Sequence, residues 1–503
     1  MITSLWHRFF PKRKTNTRSL FNSTIDQPDH AAAIVPLKQH KIDPSLISRN
    51  AIKVISGLQQ AGYQAYIVGG AVRDLLLGIA PKDFDVATNA TPEQVQVLFR
   101  RARLIGRRFQ IVHVVFHGTQ APEIIEVSTF RALVEAQASI QVRDRPTNSW
   151  FKKSSRRRDL DRHTHATDVR GRVLRDNVWG EQIEDAARRD FTVNALYYDP
   201  ADQTVHDYHH GLADIRAKLL RMIGDPPTRY REDPVRMLRA IRFAAKTGFA
   251  IDPKTAEPIK ELAHLIHHVP AARVFDELLK LLFCGHAWVA IQQLQQLGFN
   301  QSMLALLDII LDQSDHGVFV KLAFADTDAR ILAGKSVSPG FLFAALLWHA
   351  VQNDWQARIA NNALLIPALH EAIEAVLAKR MGQLGIQRRH ISDMKQIWLL
   401  QPRFERRAGQ APLRLLEAPR FRAAYDFLLL RARAGEVSAE LADWWTVFQK
   451  ANAAERNTLL AAVTSAQTAV QESEGGSKRR KRRRRVKTDK NDNPTETGLI
   501  EPS

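Results

Sequence analysis

The stretch YQAYIVGGAVRDLLLGIAPKDFD, residues 63–85, decides the fold of this chain. Its first six residues predict a buried strand, Gly69 and Gly70 a tight turn, and residues 71–77 a short helix that ends at Gly78. Two glycines between a strand and a helix let the backbone approach a ligand closely, and the helix start presents free N–H groups to an anion. The stretch therefore predicts an anion-binding turn in a domain of mixed strands and helices.

Three acidic residues around this turn are candidates for a metal site. In a strand, Asp83 and Asp85 project to the same side while Phe84 enters the core. Glu126 lies between two apolar residues of another predicted strand, so its side chain faces away from the core. An isolated Asp-x-Asp is more often a solvated turn. After a Gly-Gly turn, however, the pattern favours a site in which the three carboxylates hold Mg²⁺ beside substrate phosphates.

The rest of the chain divides into a mixed part and a helical part. Besides the strand at 63–68, runs of β-branched and aromatic residues predict strands; these lie at 84–87, 111–116, 124–129 and 193–198. Between about 132 and 175 apolar residues thin out and basic residues accumulate, which we interpret as an exposed insert. After Asp225 apolar residues recur at helical spacing for about two hundred residues. The fold class is therefore α+β, with a small mixed head followed by a long all-α part.

The net charge of +19 is concentrated in three segments. Residues 478–487 contain nine basic side chains and no acidic one, residues 143–175 contain eleven basic and four acidic ones, and residues 1–22 contain five basic and no acidic ones. Because the remainder is near neutral, these segments are candidates to bind a polyanion. A single cysteine excludes a disulfide scaffold and fits a reducing compartment, and no apolar run approaches the roughly 18 residues of a membrane span.

A second basic motif begins at Arg229 and predicts one helix through residue 239, with a proline near its start. On such a helix Glu232 and Arg236 are four residues apart and Arg239 lies one turn further, so their charged groups share a face. One interpretation is a surface ion pair of small value. The other is a rigid fork that reads the edge of a base and leaves spare guanidinium groups for phosphates.

Several ordered motifs resemble the class II nucleotidyltransferases, the superfamily of CCA-adding enzymes and bacterial poly(A) polymerases. They are GGAVRD at 69–74, DFDVATNATPEQV at 83–95, RRDFTVNALYY at 188–198 and REDPVRMLRAIRFAAKTGF at 231–249. The motifs GRRFQIVHVVF at 106–116, EIIEVSTFR at 123–131 and PRFRAAYDFLLLRARAG at 419–435, with the Arg-rich tail, resemble the poly(A) polymerase branch. The insert at 132–175 is longer than the family usually carries, so no role transfers to it.

The resemblance implies a role for each matching residue. It implies that Asp83, Asp85 and Glu126 bind two Mg²⁺ ions and, with Asp190, form the catalytic set. It also implies a nucleotide-binding set that holds the triphosphate, contacts the ribose and selects ATP: Gly69, Gly70, Arg73, Arg189, Asp190, Glu232, Asp233, Arg236 and Arg239. A weaker assignment places RNA on the basic tail residues Lys478, Arg479, Arg480, Lys481, Arg482, Arg483, Arg484 and Arg485.

The implied architecture is a nucleotidyltransferase palm followed by a helical neck and body. We place its parts, in chain order, as a disordered basic lead, the head with its insert, a helical neck that selects the nucleotide and binds RNA, a helical RNA-binding body, and a disordered tail. The corresponding ranges are 1–43, 44–225, 226–290, 291–470 and 471–503.

These observations lead to a hypothesis of function. The chain adds AMP from ATP to RNA 3′ ends without a template, using Mg²⁺, in the cytoplasm. We expect RNA and ATP as partners, no DNA, no transmembrane segment and a monomer. The close alternative is a CCA-adding enzyme, which shares the head motifs. The basic tail argues against it, because a tRNA-specific enzyme depends on recognition of shape more than on a loose polycation. The alternative of another class is a non-catalytic RNA-binding protein with an idle head, against which the retained, mutually repelling acids argue.

Overall fold

The structure, a computed structural model, describes most of residues 32–465. The described ranges are 32–106, 110–117, 122–132, 166–167, 173–175, 178–299, 304, 310, 317–384 and 386–465. Residues 1–31 of the predicted lead, most of the insert at 132–175, and the tail with Lys478 to Arg485 lie outside them. No helix in the described part is long and apolar enough to cross a membrane.

The chain folds as two compact units. The first contains the residues up to Asp233 together with Ala250–Pro258, and the second contains Pro234–Phe249 and the residues from Ile259 onward. The boundary therefore falls about eight residues later than the predicted one at 225, and a short segment of chain returns to the first unit. The predicted neck and body are not separated from each other by this division.

An eight-stranded mixed sheet forms the centre of the first unit. Its strands are β1 Ala33–Pro36, β2 Ala65–Val68, β3 Asp85–Thr88, β4 Ala102–Ile105, β5 Ile111–Phe116, β6 Glu123–Thr129, β9 Leu196–Asp199 and β10 Thr204–Asp207. The order across the sheet is β1-β10-β9-β2-β3-β6-β5-β4. Strands β3 and β6 run parallel, and the other neighbours in this sheet pair antiparallel. Two short pairs accompany it, β7 Ala166–Thr167 with β8 Val173–Arg175, and β11 Leu219–Leu220 with β12 Ala250–Ile251.

Short helices surround this sheet. They are α1 Leu37–His40, α2 Arg49–Gln60, α3 Gly70–Leu76, α4 Pro92–Leu98, α5 Gln182–Ala187, α6 Gly211–Ala217 and α7 Pro226–Glu232. Helix α2 begins at the Ser48 cap, whose side chain accepts hydrogen bonds from the first turn, and it buries an apolar stripe that includes Val54 and Leu58. The Ser48 hydroxyl also donates to Glu123, which fastens the helix to β6.

The structure corrects some sequence predictions for the head. Residues 33–40, predicted as part of a disordered lead, form β1 and α1, and β1 pairs with β10 at the edge of the sheet. The strand predicted at 193–198 begins at Leu196, because Thr192–Asn194 form a 3-10 turn. Strands β4 and β10 were missed because they are only four residues long and carry charged or polar side chains.

The second unit is all helical in its described residues, as predicted. Its helices are α8 Val235–Thr247, α9 Pro253–Leu262 shared with the first unit, α10 Ala271–Leu282, α11 Ala287–Gln296, α12 Gly317–Leu332, α13 Pro339–Ala360, α14 Leu365–Leu384, α15 Arg388–Leu400, α16 Ala411–Leu416, α17 Phe421–Arg433 and α18 Ala439–Lys450. Further helix covers 453–465. Aromatic side chains fill its core, and Trp348, Trp398 and Trp445 are fully buried.

The single helix predicted over residues 229–239 is wrong. Helix α7 ends at Glu232, Asp233 is extended at φ −148° and ψ 92°, and α8 begins at Val235. The cause is Pro234, because a proline disfavours helical geometry in the residue before it. Glu232 and Arg236 therefore belong to different helices, and the four-residue spacing does not place them on one helical face.

Candidate active site

The site is built on the parallel pair β3 and β6. Asp85 of β3 and Glu126 of β6 are register partners, so their side chains project to the same face of the sheet. The residues on either side of Glu126, Ile125 and Val127, are buried on the opposite face, as the alternation of a strand requires. Phe84 is also buried, as predicted. The two carboxylates thus stand together on the face that we call the site face.

Asp83 belongs to the same electrostatic group but does not lie on a strand, because β3 begins at Asp85. The pKa of Asp85 is raised to about 6, first because the surrounding protein removes water from its carboxylate and then because Glu126 repels its charge. Asp83 adds further repulsion, and the cation of Arg189 partly offsets it. The three predicted acids therefore interact, and a cation between them would relieve this repulsion.

The donor set suits a hard cation, since carboxylate oxygens are the ligands of Mg²⁺. As the side chains stand, no group of three or more His, Cys, Asp or Glu residues in the described ranges is arranged to hold a metal ion. Asp83, Asp85 and Glu126 are chemically fit to hold Mg²⁺, because they supply carboxylate oxygens whose mutual repulsion a cation would relieve.

The glycine turn lies at the end of β2, next to the acids. Gly69 has a φ of 73°, which a residue with a side chain rarely adopts, and it leads directly into α3. A Cβ atom at Gly69 would lie 3.4 Å from Nη1 of Arg189. The predicted turn is therefore present, and it brings the backbone beside a guanidinium group.

Arg73 lies inside the head. Its side chain is 2% exposed. Its Nε and Nη2 atoms donate to Oδ1 of Asp74 at 2.9 and 2.6 Å, and its Nη1 atom donates to Oδ1 of Asn194 at 2.7 Å. Nη2 also lies 3.4 Å from the position of a Cβ atom at Gly70. The structure shows a buried guanidinium that supports the turn, and triphosphate binding by Arg73 stays a prediction.

Arg189 is held by two residues that the sequence did not single out. Its Nη2 atom lies 3.0 Å from Oδ2 of Asp185, and its Nε atom donates to the hydroxyl of Tyr197 at 3.1 Å. The Tyr197 hydroxyl itself donates to Asp185 at 2.8 Å. Burial alone would raise the pKa of Asp185, but Arg189 and the Tyr197 hydroxyl outweigh it and lower that pKa below its usual value. Asp185 lies on α5 and Arg189 lies just after it, four residues further along the chain. This four-residue spacing is the sequence signal that could have predicted the ion pair.

Asp190 is joined through Asn194 to Arg73. Its Oδ1 atom accepts from the Phe191 backbone N–H at 2.9 Å and from Nδ2 of Asn194 at 3.3 Å. Asn194 thereby links Asp190 to Arg73, and it was also missed by the sequence analysis. These two hydrogen bonds fix the orientation of the Asp190 carboxylate.

Arg229 fastens the segment that carries Arg189 and Asp190. Its Nη2 atom donates to the backbone oxygens of Arg188 and Arg189, both at 2.7 Å, and its Nη1 atom donates to Glu232 at 2.9 Å. Glu232 is therefore engaged by Arg229 within the first unit. The motif thus has a structural function, and its nucleotide contact stays a prediction.

Arg236 and Arg239 lie on α8 in the second unit, three residues apart and partly exposed. The guanidinium of Arg239 lies 5.2 Å from the ring centre of Phe243, one turn along the helix. Asp233 lies between α7 and α8. Close contacts in the head link Gly69 with Arg189, Gly70 with Arg73, and Arg73 with Asp190 through Asn194. Arg236 and Arg239 share one helix of the second unit.

Comparison with known proteins gives a consistent result. Three family profiles match, described as "Poly A polymerase head domain" over residues 65–221, "Probable RNA and SrmB- binding site of polymerase A" over 248–308 and "Polymerase A arginine-rich C-terminus" over 361–487. A poly(A) polymerase I from Salmonella typhi is 44% identical over 434 residues, 85% of this chain and 88% of that protein. The poly(A) polymerase I of Haemophilus influenzae is 41% identical over 436 residues, 85% and 90% of the two chains.

CCA-adding enzymes are more distant relatives. One from Lacticaseibacillus paracasei is 36% identical over 232 residues, 46% of this chain and 49% of that enzyme. The crystal structure of the Bacillus stearothermophilus CCA-adding enzyme in complex with CTP matches with a TM-score of 0.52 at 24% identity, and it covers 84% of this chain and 83% of that one. This likeness shows the fold alone.

The mixed sheet, its acidic site face and the helical second half define a nucleotidyltransferase. Within that class, the chain belongs to the bacterial poly(A) polymerase I family, because these relatives match it over most of both lengths and the CCA-adding enzymes over only half. The predicted resemblance and fold class are confirmed.

Proposed function

We propose that this chain transfers AMP from ATP to the 3′-hydroxyl of RNA, with Asp83, Asp85 and Glu126 as the catalytic carboxylates. The observation that carries the proposal is the register pairing of Asp85 and Glu126 beside the Gly69 turn. Family membership supports the reaction type, and the matched RNA-binding profile supports RNA as the acceptor. We place the reaction in the cytoplasm, since the relatives are bacterial poly(A) polymerases.

Asp83, Asp85 and Glu126 would hold Mg²⁺, which when bound would stabilise charge on the phosphate oxygens and lower the pKa of a hydroxyl. Asp85 and Glu126 present their carboxylates on the site face, and Asp83 lies in the loop before β3. Arg189, held by Asp185 and Tyr197, presents a fixed cation beside the Gly69 backbone, where the triphosphate of ATP would lie. No covalent nucleophile of the chain is needed, since positioning and charge stabilisation account for phosphoryl transfer.

Nucleotide selection is the second part of the proposal. The family resemblance assigns it to Arg236 and Arg239 with Glu232 and Asp233 close by, and Asp190 to the ribose. The hydrogen bonds that position Asp190 support the ribose assignment. Because the chain breaks at Pro234, Glu232 and Arg236 do not share one helical face, and Arg236 and Arg239 on α8 are the pair that remains on one helix.

The test is incubation of an unstructured RNA with each nucleoside triphosphate separately and Mg²⁺. We expect AMP incorporation from ATP, and its loss in Asp83→Asn, Asp85→Asn and Glu126→Gln, while Glu93→Gln, an exposed acid on α4, keeps activity. Near-normal activity of Asp85→Asn would refute the carboxylate assignment. CTP incorporation or a strict need for tRNA would favour the CCA-adding alternative, and absence of any Mg²⁺-dependent ATP binding would favour the non-catalytic one.

A further inference from the structure

We infer that the part of the site face between β6 and the edge strand β4 seats the 3′-terminal segment of the RNA, with Arg101 and Arg103 on its backbone phosphates. This inference deepens the proposed function and rests on it. It starts from a row of polar side chains that crosses the head sheet and ends at its edge.

Register pairing defines the row. Asp85 pairs with Glu126, Glu126 with His113 of β5, and His113 with Arg103 of β4. Register partners on neighbouring strands project to the same face, so these four side chains all stand on the site face. With neighbouring strands about 4.8 Å apart, three steps place Arg103 about 14 Å from Asp85 along the sheet.

Arg101 extends this cationic edge. Its backbone oxygen accepts from the Val115 N–H at 3.3 Å, which continues the pairing of β4 by one residue. Because Arg101 and Arg103 are two apart, they project to the same side. Both are exposed, and neither side chain makes a hydrogen bond or an ion pair with another residue of the described ranges. Two guanidinium groups are thus presented to solvent on the same face as the acids.

The surrounding surface is open and partly apolar. Val112, Val114 and Ile125 are buried on the opposite face of the sheet, whereas on the site face Ile124 is 43% exposed and Ile105 is 42% exposed. Apolar side chains beside phosphate-binding cations suit a nucleic acid strand, which presents ribose and base surface next to its charges. Charge and surface therefore both fit a single-stranded RNA segment.

His113 links the carboxylates to the arginines. Its Nε2 atom lies 3.4 Å from Oε1 of Glu126, and it makes no hydrogen bond within the described part of the chain. This nitrogen is buried and faces Glu126, so beyond Glu126 it is the exposed Arg101 and Arg103 that are open to the RNA phosphates.

The geometry of the reaction gives the direction. In-line displacement needs the attacking oxygen and the leaving pyrophosphate on opposite sides of the α-phosphate. On one side of β3 lie β2 and β9, with Gly69 and Arg189, where the proposed triphosphate site is. The attacking RNA strand must then approach from the other side, where β6, β5 and β4 carry His113 and the two arginines.

The experiment measures steady-state kinetics of the full chain on a short oligoadenylate primer. The variants are Arg101→Gln, Arg103→Gln and the double variant, and the matched control is Arg49→Gln, an exposed arginine at the start of α2. The double variant should raise KM for RNA about tenfold and reduce the slope of its salt dependence by about 1 to 2, with KM for ATP unchanged. A raised KM for ATP, or an unchanged KM for RNA, would overturn the inference.

Primers with a single neutral methylphosphonate linkage at each of the last three positions locate the contact. At the phosphate that Arg103 binds, the neutral linkage should weaken wild-type binding and add nothing in Arg103→Gln. Additive effects at every position would contradict a direct contact. If the double variant has wild-type kinetics on the primer but a different sedimentation coefficient, Arg101 and Arg103 contact another copy of the chain and the inference is wrong. A wild-type chain that extends no RNA with ATP would instead refute the proposed function itself.

Discussion

Asp85 and Glu126 are register partners on the parallel strands β3 and β6, within a sheet whose other neighbours pair antiparallel. Parallel neighbours require a crossover connection, and here it contains α4, β4 and β5. The crossover brings two acids together that are far apart in sequence. It also places β5 and β4 on the side of β6 that faces away from β3. Strand β6 therefore carries Glu126 of the carboxylate site and borders the proposed RNA surface.

The first prediction concerns Asp85 and pH. Its pKa of about 6 exceeds the value near 3.9 of an unfolded aspartate, so the folded head binds the proton more tightly. Protonation of Asp85 therefore adds to the free energy of unfolding; this contribution is fully present below about pH 4 and is lost as the pH rises through about 6. Without divalent cations, Asp85→Asn should therefore be more stable than wild type at pH 8, and the margin should shrink toward pH 5. The partial exposure of Asp85 reduces the size of the effect.

Denaturant unfolding in EDTA at several pH values measures this difference. Glu93→Gln, which removes an exposed acid elsewhere in the head, should follow the wild type at every pH. Equal pH dependence of Asp85→Asn and wild type would show that Asp85 carries no repulsion in the folded head.

The second prediction concerns the anchor of Arg189. Asp185→Asn removes the charge that pairs with this mostly buried guanidinium, and an uncompensated buried cation is unfavourable. We expect the free energy of unfolding to fall by about 2 to 4 kcal/mol and KM for ATP to rise. Tyr197→Phe removes only the hydroxyl contacts and should cost about 1 kcal/mol. A larger loss of stability in Tyr197→Phe than in Asp185→Asn would contradict the dominance of the ion pair.

The third prediction concerns nucleotide choice. Arg239→Ala should lower the preference for ATP over CTP by about tenfold, since a guanidinium hydrogen bond to a base edge contributes about 1 to 3 kcal/mol of discrimination. Competition between the two nucleotides on one primer measures it. Lys246→Ala, an exposed cation on the same helix, is the control and should keep wild-type preference. Unchanged selectivity in Arg239→Ala would remove this residue from the selecting set.

The fourth prediction concerns a buried polar network in the second unit. Glu436 accepts hydrogen bonds from Trp348 at 2.9 Å and from Arg431 at 3.2 Å, and its Oε1 atom lies 2.7 Å from Nε2 of His349. Glu436→Gln leaves the buried guanidinium of Arg431 without its charge partner, so the free energy of unfolding should fall by about 3 kcal/mol.

Thermal and denaturant unfolding followed by tryptophan fluorescence report on this network, because Trp348 belongs to it. Glu440→Gln is the control, because Glu440 and Arg407 form an ion pair at the surface. Loss of that ion pair should change the free energy of unfolding by less than about 1 kcal/mol. Equal effects of the two substitutions would mean that the network contributes no more than a surface ion pair.

The fifth prediction concerns the basic tail. Removal of residues 471–503 should raise KM for RNA and flatten its dependence on salt, because nonspecific attraction to phosphates releases counterions. A tail of equal length with Gln in place of the basic residues at 478–485 should behave like the deletion. An unchanged salt slope would show that the tail does not contact RNA.

The local pattern of residues by itself determined the strand, turn and helix around Gly69, the strand at 111–116 and the helical character of the second half. Each of these depends on neighbours along the chain, whose periodicity and glycine positions are visible in the sequence. Residue type and spacing also predicted the three acids as a site, and the ordered motifs identified the family.

Tertiary structure decided which groups those residues meet. Arg73 donates a hydrogen bond to Asn194, 121 residues away in sequence, and its buried side chain packs under the glycine turn. Pro234 divides the helix that a continuous charge pattern had predicted, and strand register places Arg103 on the row of Asp85. Local propensity acts over a few residues, whereas hydrogen-bond partners, strand register and desolvation arise only when distant segments pack together. The chemistry of the site therefore required both levels.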